Sequence, residues 1–431
     1  MPACLSAALF AGCAGAGSSV TQPARTADAP VPGAAVRRPK DASTCSGPGT
    51  ASFLGGGANN NAYGIDSGVV TGGNNEACDD YSVVVGGYSN AVASSANTAK
   101  ESVILDGDDN TINMTGAYAF IGSGQSNDVS AERGIVAGGY HNGNSGINSI
   151  IGAGLYNLVE SGADNGVVGG GFTNKLIANT PYAAIVGGEY NTVSGEGGYI
   201  AAGGYNTLSG EGAVIDGGFN NNAAGSFATI PGGYVNSAAG TYSFAAGARA
   251  SAAQTGTFVW SDGSDGDAIL TSARAYQFLA RASGGVTFWT NAASTVGATL
   301  APGSGTWASA SDRNLKTDVA GIDDAAVLDK VAALPISRWS YRSERGVRHV
   351  GPMAQDFYAA FGVGEDDKHI TSIDEDGVAL AAIKALRAEN VTLRGANATL
   401  QAQVAALRRH DDRVDAELHR LSAALESSRS R

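Results

Sequence analysis

A serine and a lysine, Ser311 and Lys316, form the pair in this 431-residue sequence whose side chains could perform covalent chemistry. A serine hydroxyl is inert until a neighbouring base takes its proton, and a lysine amine can act as that base when burial favours its neutral form. The five-residue spacing alone does not define a site, because Ser311 beside Asp312 could equally cap a helix.

The sequence before this pair differs in composition from the sequence after it. Residues 1–310 contain 10 Lys and Arg and 21 Asp and Glu, whereas residues 311–431 contain 17 and 19. The chain has 62 glycines, about twice the usual share. Because this acidic, glycine-rich part has so few cations, we predict no nucleic-acid partner. The sequence contains no run of about 18 apolar residues, so we predict no transmembrane helix.

A repeated unit of small and β-branched residues, two glycines, an aromatic residue and asparagine occupies the glycine-rich part. The Asn positions from Asn90 to Asn236 are 20, 17, 15, 15, 17, 17, 15, 15 and 15 residues apart. Typical copies are VVVGGYSN ending at Asn90, IVAGGYHN at Asn142 and AIVGGEYN at Asn191. A period of this length predicts a solenoid in which stacked coils bury an apolar stripe that one coil could not bury alone.

Each predicted coil contains two short strands and two tight turns. The Gly-Gly pair would supply positive-φ turns, and the Asn would adopt the left-handed conformation while its side chain bonds nearby backbone. Calcium-binding and ice-binding repeats fit less well, because Asn and Tyr stand where calcium repeats need Asp and because Thr ladders are absent. The acidic pair Asp79/Asp80 and the cluster Asp106, Asp108 and Asp109 are interpreted as solvated turn carboxylates in preference to a Ca²⁺ site.

The C-terminal residues follow a heptad pattern over about six heptads. One set of positions seven apart contains Leu386, Leu393, Leu400, Leu407, Val414 and Leu421. A second set, three residues earlier in each heptad, contains Asn390, Asn397, Val404, Asp411, Leu418 and Leu425. Apolar residues in both sets predict a coiled coil, and the polar residues at the second set favour a fixed register and parallel strands.

The N-terminus and the cysteines suggest an exported protein. Residues 10–13 (FAGC) are similar to a bacterial lipoprotein signal ending at Cys13, although no Lys or Arg precedes the apolar run. A flexible apolar leader or a misassigned start codon remains the alternative. If the protein is exported, Cys45 and Cys78 could form a disulfide in the oxidising compartment. No CxxC pair or His cluster points to a metal site or a cofactor.

Two segments after Ser311 carry a family resemblance: LPISRWSYRSERGVRHVGPMAQDFYAAFGVGEDD at 334–367 and DEDGVALAAIKALRAEN at 374–390. Together with SDRNLK at 311–316, they resemble the self-cleaving C-terminal intramolecular chaperone of phage endosialidase tail spikes. The resemblance implies that Ser311 is the nucleophile, that Lys316 is the general base and that the Ala310–Ser311 bond is cut. His349 could orient this site, but a structural role for it is the simpler interpretation, and Trp339 and Tyr341 are expected in the core.

The repeats resemble the YadA-like head of trimeric adhesins and phage fibres, most closely in residues 225–254. This second resemblance implies a left-handed β-roll and a homotrimer. Between the repeats and Ser311, Phe258, Trp260, Phe278, Phe288 and Trp289 lie at strand-like spacing and predict a compact core or a core on the trimer axis.

The expected fold is mainly β: a trimeric left-handed parallel β-roll of about 15-residue repeats, a small α+β chaperone domain and a trimeric coiled coil. The predicted segments are leader and linker 1–50, β-roll 51–255, β transition domain 256–310, chaperone and peptidase domain 311–385, and coiled coil 386–431. The expected protein is a trimeric surface or tail-fibre-like protein that cleaves itself once, is extracellular, surface-bound or virion-associated, and has an unidentified cell-surface or carbohydrate ligand. The alternative is a purely structural adhesive fibre with an inactive C-terminal trimerisation domain.

Overall fold

The structure is a computed structural model that describes residues 49–94, 96–113 and 117–429. The chain divides into two units, of which the first ends at Ala310 and the second runs from Ser311 to Arg431. The predicted leader, with Cys13 and Cys45, lies outside the described residues. Cys78 is disulfide-bonded.

The first unit is a parallel β-solenoid of about 14 turns, which confirms the mainly β solenoid of about 15-residue repeats. Sheet A consists of fifteen strands: Phe53–Leu54, Gly68–Val69, Val83–Val84, Val103–Ile104, Phe120–Ile121, Ile135–Val136, Ile150–Ile151, Val167–Val168, Ala184–Ile185, Tyr199–Ile200, Val214–Ile215, Thr229–Ile230, Phe244–Ala248, Phe258–Asp262 and Phe278–Arg281. Sheet B consists of fourteen: Asn61–Ala62, Glu76–Ala77, Ala91–Val92, Thr111–Ile112, Asp128–Val129, Gly143–Asn144, Leu158–Val159, Lys175–Leu176, Thr192–Val193, Thr207–Leu208, Asn222–Ala223, Ser237–Ala238, Ala250–Ala252 and Leu270–Thr271.

The core lies between the two sheets. In most coils the second residue of each two-residue strand points inward and is fully buried, as Ile185 and Val193 are, whereas the first remains partly exposed. A third column of single-residue parallel bridges runs from Ala58 to Ala248. The parallel sheets continue to Arg281, beyond residue 255, where the repeat region was expected to end.

The repeat asparagines form a continuous buried ladder rather than left-handed turns. In the coil of Asn221, the side-chain amide donates to the carbonyls of Gly217 and Gly233 at 3.0 and 3.1 Å and to Oδ1 of Asn206 at 3.1 Å. Its own Oδ1 accepts the backbone N–H of Asn236 at 2.9 Å. The ladder asparagines do not adopt the left-handed conformation that the motif suggested for them, but their side chains bond nearby backbone, as predicted.

The left-handed conformation belongs instead to the residue before each ladder asparagine and to a glycine of the Gly-Gly turn. Asn220 has φ 56° and Tyr205 has φ 57°, although both carry side chains. Gly203, at φ 94°, also could not be replaced, because a Cβ there would lie 2.1 Å from the carbonyl oxygen of Gly218 in the next coil. The close stacking of coils therefore requires glycine at this position.

Two neighbouring substitutions, one in the buried ladder and one beside it, test how much the ladder contributes to the stability of the fold. Asn221→Ala leaves buried backbone groups without partners and is expected to cost about 1–3 kcal/mol or more of stability. Asn222→Ala changes the adjacent, exposed residue and is expected to cost less than about 0.5 kcal/mol. The midpoints of thermal unfolding of the two variants and the parent chain test this difference. Equal midpoints for both variants would contradict a stabilising role for the ladder.

After the solenoid, an antiparallel sheet ends the first unit, with strands Val286–Trp289, Gly297–Leu300 and Trp307–Ser309. Phe278, Phe288 and Trp289 are 70%, 59% and 51% exposed in the single chain. These three side chains therefore do not form the compact core within one chain that their spacing suggested. The alternative, a core on a trimer axis, stays a prediction.

The second unit is a small α+β domain continued by a long helix. It contains a 3₁₀ turn at Arg313–Leu315, helix α1 at Asp324–Ala333, an antiparallel hairpin of Ser337–Trp339 and His349–Gly351, helix α2 at Ala354–Phe361 and helix α3 at Ser372–Arg429. At the start of α3, Thr371 Oγ1 accepts the backbone N–H of Asp374 at 3.2 Å, as an N-cap residue does, and the Thr371 hydroxyl donates to the Asp374 carboxylate at 2.7 Å. None of the helices in the described residues is long and apolar enough to cross a membrane.

Helix α1 packs on the first part of α3, where Ala381, Ala382 and Ala385 are buried and Lys384 forms an ion pair with Asp324. Beyond this contact, the apolar heptad residues are exposed. They are Leu386, Leu393, Leu400, Val404, Leu407, Val414, Leu418, Leu421 and Leu425. A single helix thus leaves a long apolar stripe without a partner in one chain.

Candidate functional site

Ser311 is the first residue of the second unit, and a short 3₁₀ turn, Arg313–Leu315, follows it. Asp312 caps the 3₁₀ turn, because its Oδ1 accepts the backbone N–H and the side-chain amide of Asn314 at 2.9 and 3.1 Å. The backbone N–H of Lys316 closes the turn by donating to the carbonyl of Arg313 at 3.2 Å. The suggestion that Ser311 itself caps a helix is wrong, since Asp312 does so.

This turn brings the side chains of Ser311 and Lys316 together. Five residues of extended chain would span about 17 Å. Lys316 Nζ instead lies 2.7 Å from Ser311 Oγ, at hydrogen-bonding distance. A neutral amine in the same position would accept the hydroxyl proton, so the contact is the one that a serine nucleophile and a lysine base require.

Both side chains are exposed in the single chain. The sequence argument expected burial to favour the neutral lysine, and one chain does not bury it. The backbone N–H of Ala310 donates to the carbonyl of Gly297 at 3.1 Å, which ties the residue before Ser311 to the antiparallel sheet of the first unit. The division between the two units falls at the Ala310–Ser311 peptide bond.

His349 belongs to an aromatic cluster. Its ring stacks on Trp339 with centroids 4.6 Å apart and meets Tyr341 edge-on at 5.7 Å. Its Nε2 lies 3.6 Å from Oε2 of Glu344. None of these contacts involves Ser311 or Lys316, so the contacts of His349 are those of a residue that packs within the hairpin. Trp339 is half-buried, whereas Tyr341 is 58% exposed and is not the core residue it was expected to be.

The acidic pair Asp79 and Asp80 is buried, so its interpretation as solvated turn carboxylates is wrong. Asp79 accepts the backbone N–H groups of Ser94 and Ala99 at 3.2 and 2.6 Å and the Ser94 hydroxyl at 2.6 Å. These bonds fasten the longer loop of the next coil, which contains Ser94 and Ala99, onto the coil that contains Asp79. In the part of the chain that the structure describes, no group of three or more His, Cys, Asp or Glu could hold a metal ion.

Asp80 is equally engaged. Hydrogen bonds from the Ile65 N–H and the Asn97 amide, with the nearby Lys100 ammonium, hold the pKa of the Asp80 carboxyl below its ordinary value. A lowered pKa means that the carboxylate stabilises the fold above its unfolded-state pKa and that this stabilisation is lost as the pH falls through the folded-state pKa. Both carboxylates therefore have structural partners.

Comparison with known proteins identifies the C-terminal domain. Residues 311–362 match the Peptidase_S74 family, described as the chaperone of endosialidase, and the match begins at Ser311. The chain therefore carries the endosialidase-type C-terminal chaperone domain that the sequence motifs predicted. No curated protein matches the chain. This domain and the parallel β-solenoid that precedes it fit a tail-fibre-like protein.

Proposed function

We propose that this protein is a trimeric fibre of a phage particle or a cell surface whose C-terminal domain helps three chains to fold together and then cleaves itself off. Ser311 is the nucleophile, Lys316 is the general base and the bond cut is Ala310–Ser311. The 2.7 Å contact between Lys316 Nζ and Ser311 Oγ, at the first residue of the family match, carries this proposal. The exposed apolar heptads of α3 support the trimeric part, as a three-stranded coiled coil would cover them.

The proposed chemistry is an acyl shift followed by hydrolysis. Neutral Lys316 takes the proton of the Ser311 hydroxyl, and Oγ attacks the carbonyl carbon of Ala310. The C–N bond breaks as the Ser311 nitrogen takes a proton from the lysine, which leaves an ester between Ala310 and Ser311. Water then hydrolyses the ester to a carboxylate on Ala310 and a free hydroxyl and amine on Ser311. Because the nucleophile is adjacent to the scissile carbonyl, proximity supplies much of the acceleration.

The exposure of the pair in one chain fits a reaction that needs the trimer. Assembly would surround Lys316 with the neighbouring chains and remove water, and the loss of water would favour the neutral amine. Cleavage would then follow folding and would not precede it. A trimer without its folding aid could not readily refold, so the cut would convert assembly into kinetic stability.

Substitution of Lys316 tests the general base. Lys316→Arg keeps the charge, but a guanidinium does not give up its proton near neutral pH, so cleavage is expected to slow by about 10²–10⁴-fold. The matched control is Lys330→Arg, at an exposed lysine of α1 in the same domain. The fraction of intact chain against time, read from denaturing gels, measures both rates. Cleavage at the parent rate in Lys316→Arg would remove Lys316 from the proposed mechanism.

A further inference from the structure

The outer face of sheet A is largely apolar along the solenoid, with Thr229 and the exposed Asp216 as its polar residues in coils of two-residue strands. The first, outward residue of its fifteen strands carries no charge in any coil. These residues are Phe53, Gly68, Val83, Val103, Phe120, Ile135, Ile150, Val167, Ala184, Tyr199, Val214, Thr229, Phe244, Phe258 and Phe278. Val70, Leu105 and Val186, which follow their strands on the same face, are 42%, 43% and 53% exposed.

The outer face of sheet B is polar by contrast. Its outward residues include the charged side chains of Glu76, Asp128 and Lys175 and a run of Thr, Asn and Ser from Thr192 to Ser251. Lys175 forms an ion pair across the coils with Glu160 on this face. The two sheets share one core and the same coil period, so the difference between their outer faces is not imposed by the solenoid fold. Sheet B is suited to water, and sheet A is suited to a partner.

The size of the sheet A face fits a stable protein interface. Fifteen parallel strands at about 4.8 Å each extend over about 70 Å. With two outward columns about 10 Å wide, the face presents about 700 Å² per chain, which a trimer divides between two neighbours, so that three chains together would bury about 2,100 Å² over their three contacts. A scattered set of surface apolar residues would not reach this area.

We infer that the outer face of sheet A is the surface through which the solenoids of two further copies of this chain pack, and that the outer face of sheet B faces the solvent. This inference rests on the proposed trimer and assigns its solenoid interface. Identical copies suit the face because uncharged outward residues of one coil would meet the same residues of the neighbouring copies at the same height. The first outward column carries no charge in any coil, so in-register identical copies would not suffer like-charge repulsion along it, whereas Asp216 is the charged residue of the second column.

Cysteine cross-linking of the full chain tests the assignment. Val186→Cys places a thiol on the outer face of sheet A, and Ser194→Cys places one on the outer face of sheet B in the same coil, at an exposed and nearly isosteric position. Both are made with Ser311→Ala so that every chain has one length. A short bismaleimide is added, and covalent dimers are counted on denaturing gels, with the parent chain giving the background from its own four cysteines. Light scattering gives the mass of each sample.

The expected result is a mass of three times 43.1 kDa for all samples, with a covalent dimer for Val186→Cys and only the background for Ser194→Cys. A trimer that cross-links through Ser194→Cys, or through neither position, overturns the assignment of the face and leaves the trimer standing. A mass of 43.1 kDa overturns the trimer itself, and the inference with it. The two failures are therefore distinguishable.

Discussion

A chain carrying Ser311→Ala is expected to remain a single polypeptide of 43.1 kDa, whereas the parent chain is cut into two pieces. The substitution removes the hydroxyl that would attack the Ala310 carbonyl, and among the residues that the structure describes no other nucleophile lies at hydrogen-bonding distance from Lys316 Nζ. Because the nucleophile belongs to the same chain as the bond that it attacks, no other molecule replaces the missing hydroxyl. We therefore expect no cleavage of the Ser311→Ala chain during expression. Intact mass spectrometry of the two purified proteins measures the extent of cleavage.

Ser304→Ala is the matched control for this substitution. Ser304 is a serine in the loop before the last strand of the first unit, where its hydroxyl oxygen accepts the backbone N–H of Thr306 at 3.1 Å. Its replacement is expected to leave cleavage at the parent rate. Equal cleavage in Ser311→Ala and the parent chain would assign the cut to another residue or to a contaminating protease, and would favour the purely structural fibre.

A chain ending at Ala310 is expected to aggregate when expressed alone. The solenoid has few charges and an apolar outer face on sheet A, and its parallel strands pair residues far apart in sequence, which slows folding and exposes strand edges. Without residues 311–431, no helix holds three chains together while these surfaces form. The soluble fraction and its mass by light scattering are the measurements.

The control for the shortened chain is the full-length Ser311→Ala chain, which keeps the C-terminal unit attached throughout folding. It is expected to be soluble and trimeric. Equal yields of soluble trimer from the two proteins would remove the chaperone role and leave cleavage, if it occurs, without a function in folding.

The solenoid could be predicted from the sequence because its cause is local and repeated. Each coil needs β-branched residues for the core and glycine for the turn, and both recur at a measurable period. The role of the asparagines could not be predicted in the same way. A motif that ends in Asn is compatible with a left-handed residue or with a buried amide, and only the stacking of one coil on the next decides between them.

Other features depended on contacts that spacing does not specify. Asp79 and Asp80 look like turn residues in the sequence, but a loop from the next coil folds over them, and the Ala99 N–H and the Asn97 side-chain amide donate to their carboxylates. The parallel sheets extend to Arg281 because strand pairing needs in-register neighbours and tolerates longer loops between them. Neither feature leaves a signal in a 15-residue period.

At the candidate site too, the sequence predicted one feature and could not predict another. The residue types and the neighbouring motifs indicated the chaperone domain, and the match to residues 311–362 confirms that domain. The 2.7 Å contact between Lys316 and Ser311 depends on a single 3₁₀ turn capped by Asp312, which a five-residue spacing does not specify. The roles of Ser311 and Lys316 in cleavage stay predictions.

The central claim is self-cleavage at one bond, and the N-terminal sequence of the smaller fragment tests it most directly. The purified parent chain is expected to give fragments of about 31 and about 12 kDa, in proportion to 310 and 121 residues of a 43.1 kDa chain. The smaller fragment is expected to begin Ser-Asp-Arg-Asn-Leu-Lys, the residues that start at Ser311. A folded parent chain that stays intact at 43.1 kDa, or a fragment that begins at any other residue, would contradict the account.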